Sequence, residues 1–463
     1  MFAAARALLD KTTTNIAQAY GAADITSQAM RTAVTDWFAL YFQREVTDYE
    51  DPCQRLPYTI VNKLSKTTFS RYSSTYIDLK NSHQAWLDYN RSAFDTMRKE
   101  AMQWLLVGGE VLLKPIAVPG QQRFRWQCIR RDGYVVLGRR ADGMITDLCC
   151  IEQHVVNKRY YTLVERRTVD SAGYLTICNK LYSSDNTVTL GMFVPLGTLS
   201  QYAMLLPEYT YPVPVYSIGV VQLRTPTVNC VDGSADGVSI YEPAVGLIHN
   251  INRNELQLSD EFDLGRLRVM TNDEFLMPIS GGKKIIKDTL FVGGNINGAN
   301  FPMQSFAPQL RIEAYEARKQ SYLCSLENII GLKRGILSRA EAVERTKQEI
   351  TSSAGDYALS VEDLQNVWYD GLQEAMRICS TLGAMYRYCG RQEADRDALS
   401  VTWGNGVLYD AQQEMDNDLK LVQAGLLLPE IALAKRLDLP YDTPEDLAYV
   451  REHYMPELEK LTQ

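Results

Sequence analysis

Apolar residues recur at helical spacing through most of the first 115 positions. Between Asn81 and Val111, Trp86, Leu87, Phe94, Met97, Met102, Leu105 and Leu106 keep that period, so one helix is expected there. It should break at Gly108-Gly109 and resume as a short strand, Glu110 to Lys114, closed by Pro115. From 116 to 230 the period changes to alternation, with Phe124 to Cys128, Gly133 to Val136 and Tyr160 to Val164 as examples. Asp132-Gly133, Asp142-Gly143 and Ala172-Gly173 stand where hairpin turns need positive φ.

A Gly- and Asp-rich linker, DGSADG, then leads into a helix over 240–264. Its apolar face is Ala244, Leu247, Ile248, Ile251, Leu258 and Phe262, and Gly265 is its stop. Such a helix is about 36 Å long. Residues 266–309 are short apolar pieces broken by Gly and Pro, which predicts a small β-rich lobe. A second helix over 310–330 carries Tyr315, Tyr322, Leu323, Leu326, Ile329 and Ile330 at intervals of three and four. The order helix, lobe, helix is the most informative pattern in the chain. A polar stretch follows Gly331, then a long helix from about Asp356 to Tyr388, and a helical, acidic end from Asp410. The expected fold class is α+β.

Composition narrows the function. The 463 residues are 46% hydrophobic, enough for more than one packing unit. Nine scattered cysteines without CxxC pairs suit a reducing compartment. No apolar run approaches a membrane span, and MFAAARALLDKTTTNIAQAY lacks a secretory core, so a cytoplasmic protein with no membrane partner is expected. A net charge of −8 disfavours wrapping DNA by general attraction, yet suits a wall past which DNA slides without sticking.

Motifs for chemistry are weak. Gly281-Gly282-Lys283-Lys284 lacks the spacing and hydroxyl of a phosphate loop, and Gly233-Ser234-Ala235-Asp236-Gly237 has the wrong spacing for a nucleophile elbow. Cys149, Cys150 and His154 lack a fourth metal ligand, and adjacent cysteines on a strand point to opposite faces. His83, His249 and His453 are isolated in sequence. Carboxylate pairs such as Glu344 with Glu349, or Asp416 with Asp418, nominate nothing without geometry. No catalytic, cofactor or metal site is expected, and the chain is not expected to be an enzyme.

Four stretches resemble the portal proteins of tailed double-stranded-DNA bacteriophages, particularly the type in long-tailed phages and prophages of Gram-positive hosts. They are PYTIVNKLSKTTFS (57–70) with EAMQWLLVGGEVLLKPI (100–116), GVSIYEPAVGLIHNINRNELQLSDEFDLGRLRVM (237–270), the segment from Leu310 to Ser352 with its Thr346 and Glu349, and WGNGVLYDAQQEMDNDLKLVQAGLLLPEIALAKRLDLP from Trp403. In the last of these, Asn405 stands where the family commonly has an aspartate.

The resemblance implies a homo-oligomeric ring, usually of twelve, at a capsid vertex in the virion, assembled in the host cytoplasm. Double-stranded DNA would pass through it during packaging and ejection. It would dock a terminase, a head-tail adaptor, and the major capsid or scaffolding protein. The implied parts are a wing (1–239 and 351–409), stem helices (240–265 and 310–330), a clip (266–309), a tunnel loop (331–350) and a crown (410–463). Lys333, Arg334 and Arg339 would touch DNA phosphates without reading sequence. Arg266, Arg268, Lys283, Lys284 and Lys287, five cations against three acids in the clip, would dock the adaptor. Asp410, Glu414, Asp416 and Asp418, with the carboxylates from Asp442 to Glu459, would line the inner mouth. Another tail or baseplate component is the alternative, sharing the composition but not the two-helix pattern.

Overall fold

The computed structural model describes residues 16, 19–42, 54–76, 82–118, 120–186, 189–264, 309–339, 347–390, 392, 394, 398–403, 418–437, 439 and 444–455. For 264, 268–270, 276–278, 284–286, 304–306 and 347–356 it describes the backbone alone. The fold is α+β, in two units, 1–402 and 403–463.

In the first unit, helices α1 (Gln28–Phe42), α2 (Leu56–Thr68), α3 (Ser82–Asp95) and α4 (Arg98–Gly108) surround an antiparallel sheet. Its order is β10 (Val221–Arg224), β2 (Glu110–Ala117), β3 (Phe124–Arg130). The helix expected across 81–111 is therefore two. At the break, side chains take over from the main-chain ladder: Asp95 accepts from Tyr72 Oη at 2.7 Å and Arg91 at 2.7 Å, while Arg98 donates to the Asp95 carbonyl at 2.8 Å. Gly109, at φ 75°, ends α4 as the sequence predicts. Pro115 does not close the strand that follows. Beyond Leu113, β2 is paired only with β3, so Pro115 is free to lack a donor on the other side.

The hairpin region is one six-stranded antiparallel sheet. It runs in the order β4 (Tyr134–Arg139), β5 (Ile145–Val156), β6 (Arg159–Val169), β7 (Leu175–Ser184), β8 (Met192–Val194), and β9 (Glu208–Thr210) also pairs with β7. Gly143 and Gly173 supply the positive φ expected at two turns. Asp132-Gly133 does not make a third. Arg131–Gly133 is a short 3-10 turn joining two different sheets, and it carries Arg131 into the interior. The β5–β6 turn instead uses Asn157 and Lys158 at φ 51° and 64°. Cys150 packs with Tyr134 and Leu148 on one face of the sheet, and Cys149 with Ile16 and Val164 on the other.

Lys114, Glu165 and Arg167 form a buried triad between the two sheets. Glu165 contacts Lys114 Nζ at 2.9 Å and Arg167 Nε at 2.7 Å. Burial alone would raise the Glu165 carboxyl, but the two cations outweigh it and hold it at about 2. A carboxyl held below its unfolded value of 4.5 stabilises the fold above that value. Its contribution, roughly 3 kcal/mol, is lost as pH falls from 4.5 towards 2. Urea midpoints should drop steeply across that window, and Glu165→Gln should be less stable at neutral pH with a shallower acid limb. An unchanged limb would remove the triad from the account.

After β10 the linker crosses α4. An added Cβ on Gly109 would lie 2.4 Å from the Gly237 carbonyl carbon, so two backbones touch with no room for a side chain. Thr225 N donates to the Gly109 carbonyl at 2.9 Å, and Ile240 N to that of Leu106 at 3.0 Å. Thus anchored, the chain enters a 3-10 turn, Glu242–Ala244, and then α5 (Val245–Leu264), which pairs with α6 (Ile312–Ile330). Between them lie two short antiparallel pairs, β11 (Arg268–Met270) with β14 (Gln304–Phe306) and β12 (Leu276–Pro278) with β13 (Lys284–Ile286). This is the β-rich insertion expected from the pattern. Gly265, its expected boundary, lies outside the described residues.

The 39-residue α7 (Lys347–Met385) begins well before Asp356. Its side chains from Tyr357 onward pack against α2, α3 and β10, with Trp368 stacked on Phe94 at 4.9 Å. β15 (Leu399–Thr402) returns to pair with β1 (Ser73–Tyr76). The second unit is helical at 418–423, in α8 (Pro429–Leu437) and in α9 (Pro444–Tyr454), with Ala434 and Val450 buried and Arg451 paired with Glu430. Asp410, Glu414, Asp416 and Asp442 lie outside the described residues.

Candidate functional site

The helix pair and the loop that follows it collect most of the chemistry the sequence singles out. α5 and α6 run antiparallel and are laced by polar contacts. Lys319 meets Glu255 at 2.9 Å, Asn254 Nδ2 donates to the Tyr315 carbonyl at 3.1 Å, and Arg311 meets Glu261 at 3.0 Å. The Arg311 guanidinium and main-chain N–H hold the Glu261 carboxyl down to about 2. The first half of α5 is sealed, with Ile248 and Ile251 buried. Towards the lobe its face opens, and Phe262 is 48% exposed. Ile329 on α6 is 48% exposed as well, so apolar surface remains uncovered on both helices.

α6 stops at Gly331, φ 75°, and the chain bends again at Gly335, φ 89°, as their placement in the sequence implies. The loop does not project freely. Glu327, fully buried in the last turn of α6, accepts from Leu337 N at 2.6 Å, Ser338 N at 2.9 Å, Ser338 Oγ at 2.7 Å and Gly335 N at 3.4 Å. One carboxylate thus folds 335–338 back onto the helix. Lys63 Nζ adds a bond to the Ile336 carbonyl at 2.6 Å.

This arrangement separates the three cations assigned to the loop. Lys333 is half-buried and Arg334 exposed at the tip. Arg339 has travelled back along α6, where its N–H donates to Gln320 Oε1 at 2.8 Å and its guanidinium meets Glu316 at 3.2 Å. Glu316 precedes Gly331 by fifteen positions, or about 22 Å of helix. Of the lobe cations, Arg268 lies opposite Phe306 and Lys284 opposite Pro278 in their ladders. Arg266, Lys283 and Lys287 lie outside the described residues.

On one flank of the helix pair is a cleft of about 380 Å³, floored by Leu56, Leu258, Leu323 and Leu337 and rimmed by Glu316 and Arg339. Among the described residues no group of His, Cys, Asp and Glu is arranged to hold a metal ion, and no helix is long and apolar enough to cross a membrane. His154 hydrogen-bonds Glu152 at 2.7 Å.

Two buried charge clusters leave little trace in the sequence. Glu327 left one signal: an acid in a helix's last turn opposes the helix dipole and needs donors of its own. The second, centred on Glu110 and Arg139, joins positions too far apart in sequence to betray one another.

The sequence matches no protein-family model and no curated protein. It is similar to chains of three solved structures. One is a chain of the virion of a native gene transfer agent particle, 10% identical, covering 93% of this chain and 99% of that chain at a TM-score of 0.46. Another is a chain of the neck of the native particle computed with C12 symmetry, 11% identical, with the same coverage and a TM-score of 0.46. The third is a chain of the neck of the empty particle computed with C6 symmetry, 12% identical, covering 88% and 93% at a TM-score of 0.47.

Proposed function

We propose that the chain is one subunit of a portal-type ring at the vertex of a tailed-phage-like particle, a passive conduit for double-stranded DNA during packaging and ejection. The observation that carries this reading is the antiparallel pair α5 and α6, with a small β lobe at one end and a glycine-hinged loop at the other. A lone helix pair with uncovered Phe262 and Ile329 has apolar surface left to bury, and repetition of the subunit around an axis supplies neighbours for it. The lobe and the loop then sit at two levels of a channel, about 28 Å apart along α6.

In this reading the lobe docks the head-tail adaptor and the terminase, which supplies the motor, while the ring itself makes and breaks no bonds. The long-tailed, Gram-positive type and a ring of twelve belong to the same proposal. Negative-stain electron microscopy of the purified chain tests it: rings with a central hole are expected, and a dispersed monomer or a solid particle at every concentration tried overturns it.

Arg334 and Lys333, at the tip of the loop, are the residues expected to brush phosphates. Changing both to glutamine should reduce packaging by the motor severalfold while rings still form. Arg339→Gln should do less, since its guanidinium is engaged with Glu316. Normal packaging by the double variant would take the loop out of the DNA path.

A further inference from the structure

We propose that the cleft beside the helix pair is a socket for the opposite flank of α6 from a second copy of this chain, with Arg318 of one copy set on Glu316 of the next. This rests on the ring reading above, and it names the surfaces that would build the ring.

The two flanks follow from helical spacing. Glu316, Gln320 and Leu323 fall on one side of α6 and line the cleft. Arg318, Tyr322, Ser325 and Ile329, at the same spacing but two positions out of step, fall on the far side. One flank is concave: Leu56 and Leu323 are nearly buried at its floor, with Leu258 and Leu337 half-covered beside them. The other presents Arg318 and Ile329 at the surface. Arg318 lies over the Tyr322 ring at 5.3 Å and donates from Nε to its hydroxyl at 3.0 Å, and Ile329, two turns further along the same flank, is 48% exposed. A stacked Arg-Tyr pair is the kind of group that anchors an interface, being large, amphipathic and already ordered.

Charge supplies the register. The Glu316 side chain is 47% exposed; among the described residues its ion-pair partner is the guanidinium of Arg339, itself 72% exposed, while the neighbouring Lys319 is held by Glu255, so Glu316 has room for a second cation. Arg318 has no carboxylate within ion-pair distance among the described residues. Joining cleft to flank makes a heterologous contact, the kind that closes into a ring when repeated by rotation. Joining flank to flank would instead set Arg318 against Arg318.

The test uses the full chain, with assembly followed by mass photometry across a concentration series. The parent chain is expected to form rings. Glu316→Arg and Arg318→Glu should each raise the concentration for half-assembly by on the order of tenfold. The chain carrying both changes should return towards the parent value. An equimolar mixture of the two single variants should also assemble, because alternating copies then oppose unlike charges at every junction. The mixture matters because Glu316→Arg also frees Arg339 within its own copy, so its defect alone would be ambiguous; circular dichroism checks that each variant is folded. If the parent forms rings but the single variants assemble equally well, or neither the double variant nor the mixture regains assembly, the socket is wrong and the ring reading stands. If the parent forms no rings, both fall.

Discussion

Arg139→Met should lower the unfolding free energy of the first unit by about 3–5 kcal/mol, the usual cost of breaking a buried ion pair from one side. Glu110 has no exposed surface. Its carboxylate accepts from Arg139 Nη2 at 2.9 and 3.1 Å and from Tyr134 Oη at 3.0 Å, with Gln222 also bound. The same Nη2 reaches Asp236 at 2.7 Å. Arg131 approaches both acids but at 3.6 and 3.8 Å. Methionine fills much of the space left by the arginine stem while leaving two buried carboxylates to share one distant cation. Arg140 is the internal control. Its partner Asp142 and it are both more than half exposed, so Arg140→Met should leave the urea midpoint where it was. Equal midpoints for the two variants would mean that water reaches the Glu110 cluster and compensates the charge.

Glu327→Ala is expected to cost about 3 kcal/mol, because three main-chain N–H groups and one hydroxyl lose their acceptor together. The effect should be local as well as global. Lys333 and Arg334 are trypsin sites on a loop that Glu327 fastens at 335–338, so the variant should be cut there much faster than the parent under native conditions. Glu327→Gln keeps the shape but offers only one acceptor oxygen, and should fall between the two. Cleavage at the parental rate, with unchanged stability, would show that the loop is held by something other than this carboxylate.

Both predictions rest on residues that a linear reading passes over, and the reason is physical. Periodicity and glycine placement report local backbone preference. They located the helix, lobe, helix order, the stops at Gly109 and Gly331, the bend at Gly335 and the turns at Gly143 and Gly173. They failed where a local signal was supplied by another residue type or cancelled by context. Asn157 and Lys158 make a tight turn without glycine, Pro115 is tolerated because its strand has lost one neighbour, and the 81–111 helix is severed by side chains around Asp95 rather than by a breaker. Long-range charge is less legible still. Nothing near Glu110 announces Arg139 or Asp236, and nothing near Arg339 announces that it would be drawn back to Glu316. The three loop cations are neighbours in sequence, but the acceptor that folds the loop separates them in space.

The contact between Gly109 and Gly237 ties the footing of the helix pair to the closure of a long loop. The two glycines are about 130 positions apart, yet their backbones touch, and β10 pairs with β2 immediately beside them. Between them lie the rest of the β10-β2-β3 sheet and the six-stranded sheet, most of whose strands are joined as successive hairpins. Those hairpins bring positions distant in sequence close together, so the effective loop closed at the glycine contact is shorter than the sequence separation. The helix α5 begins only eight residues past Gly237, so the glycine contact fixes the root of the helix pair. A side chain placed at either glycine should therefore be felt along α5 as well as at the contact itself, because the helix pair takes its footing there.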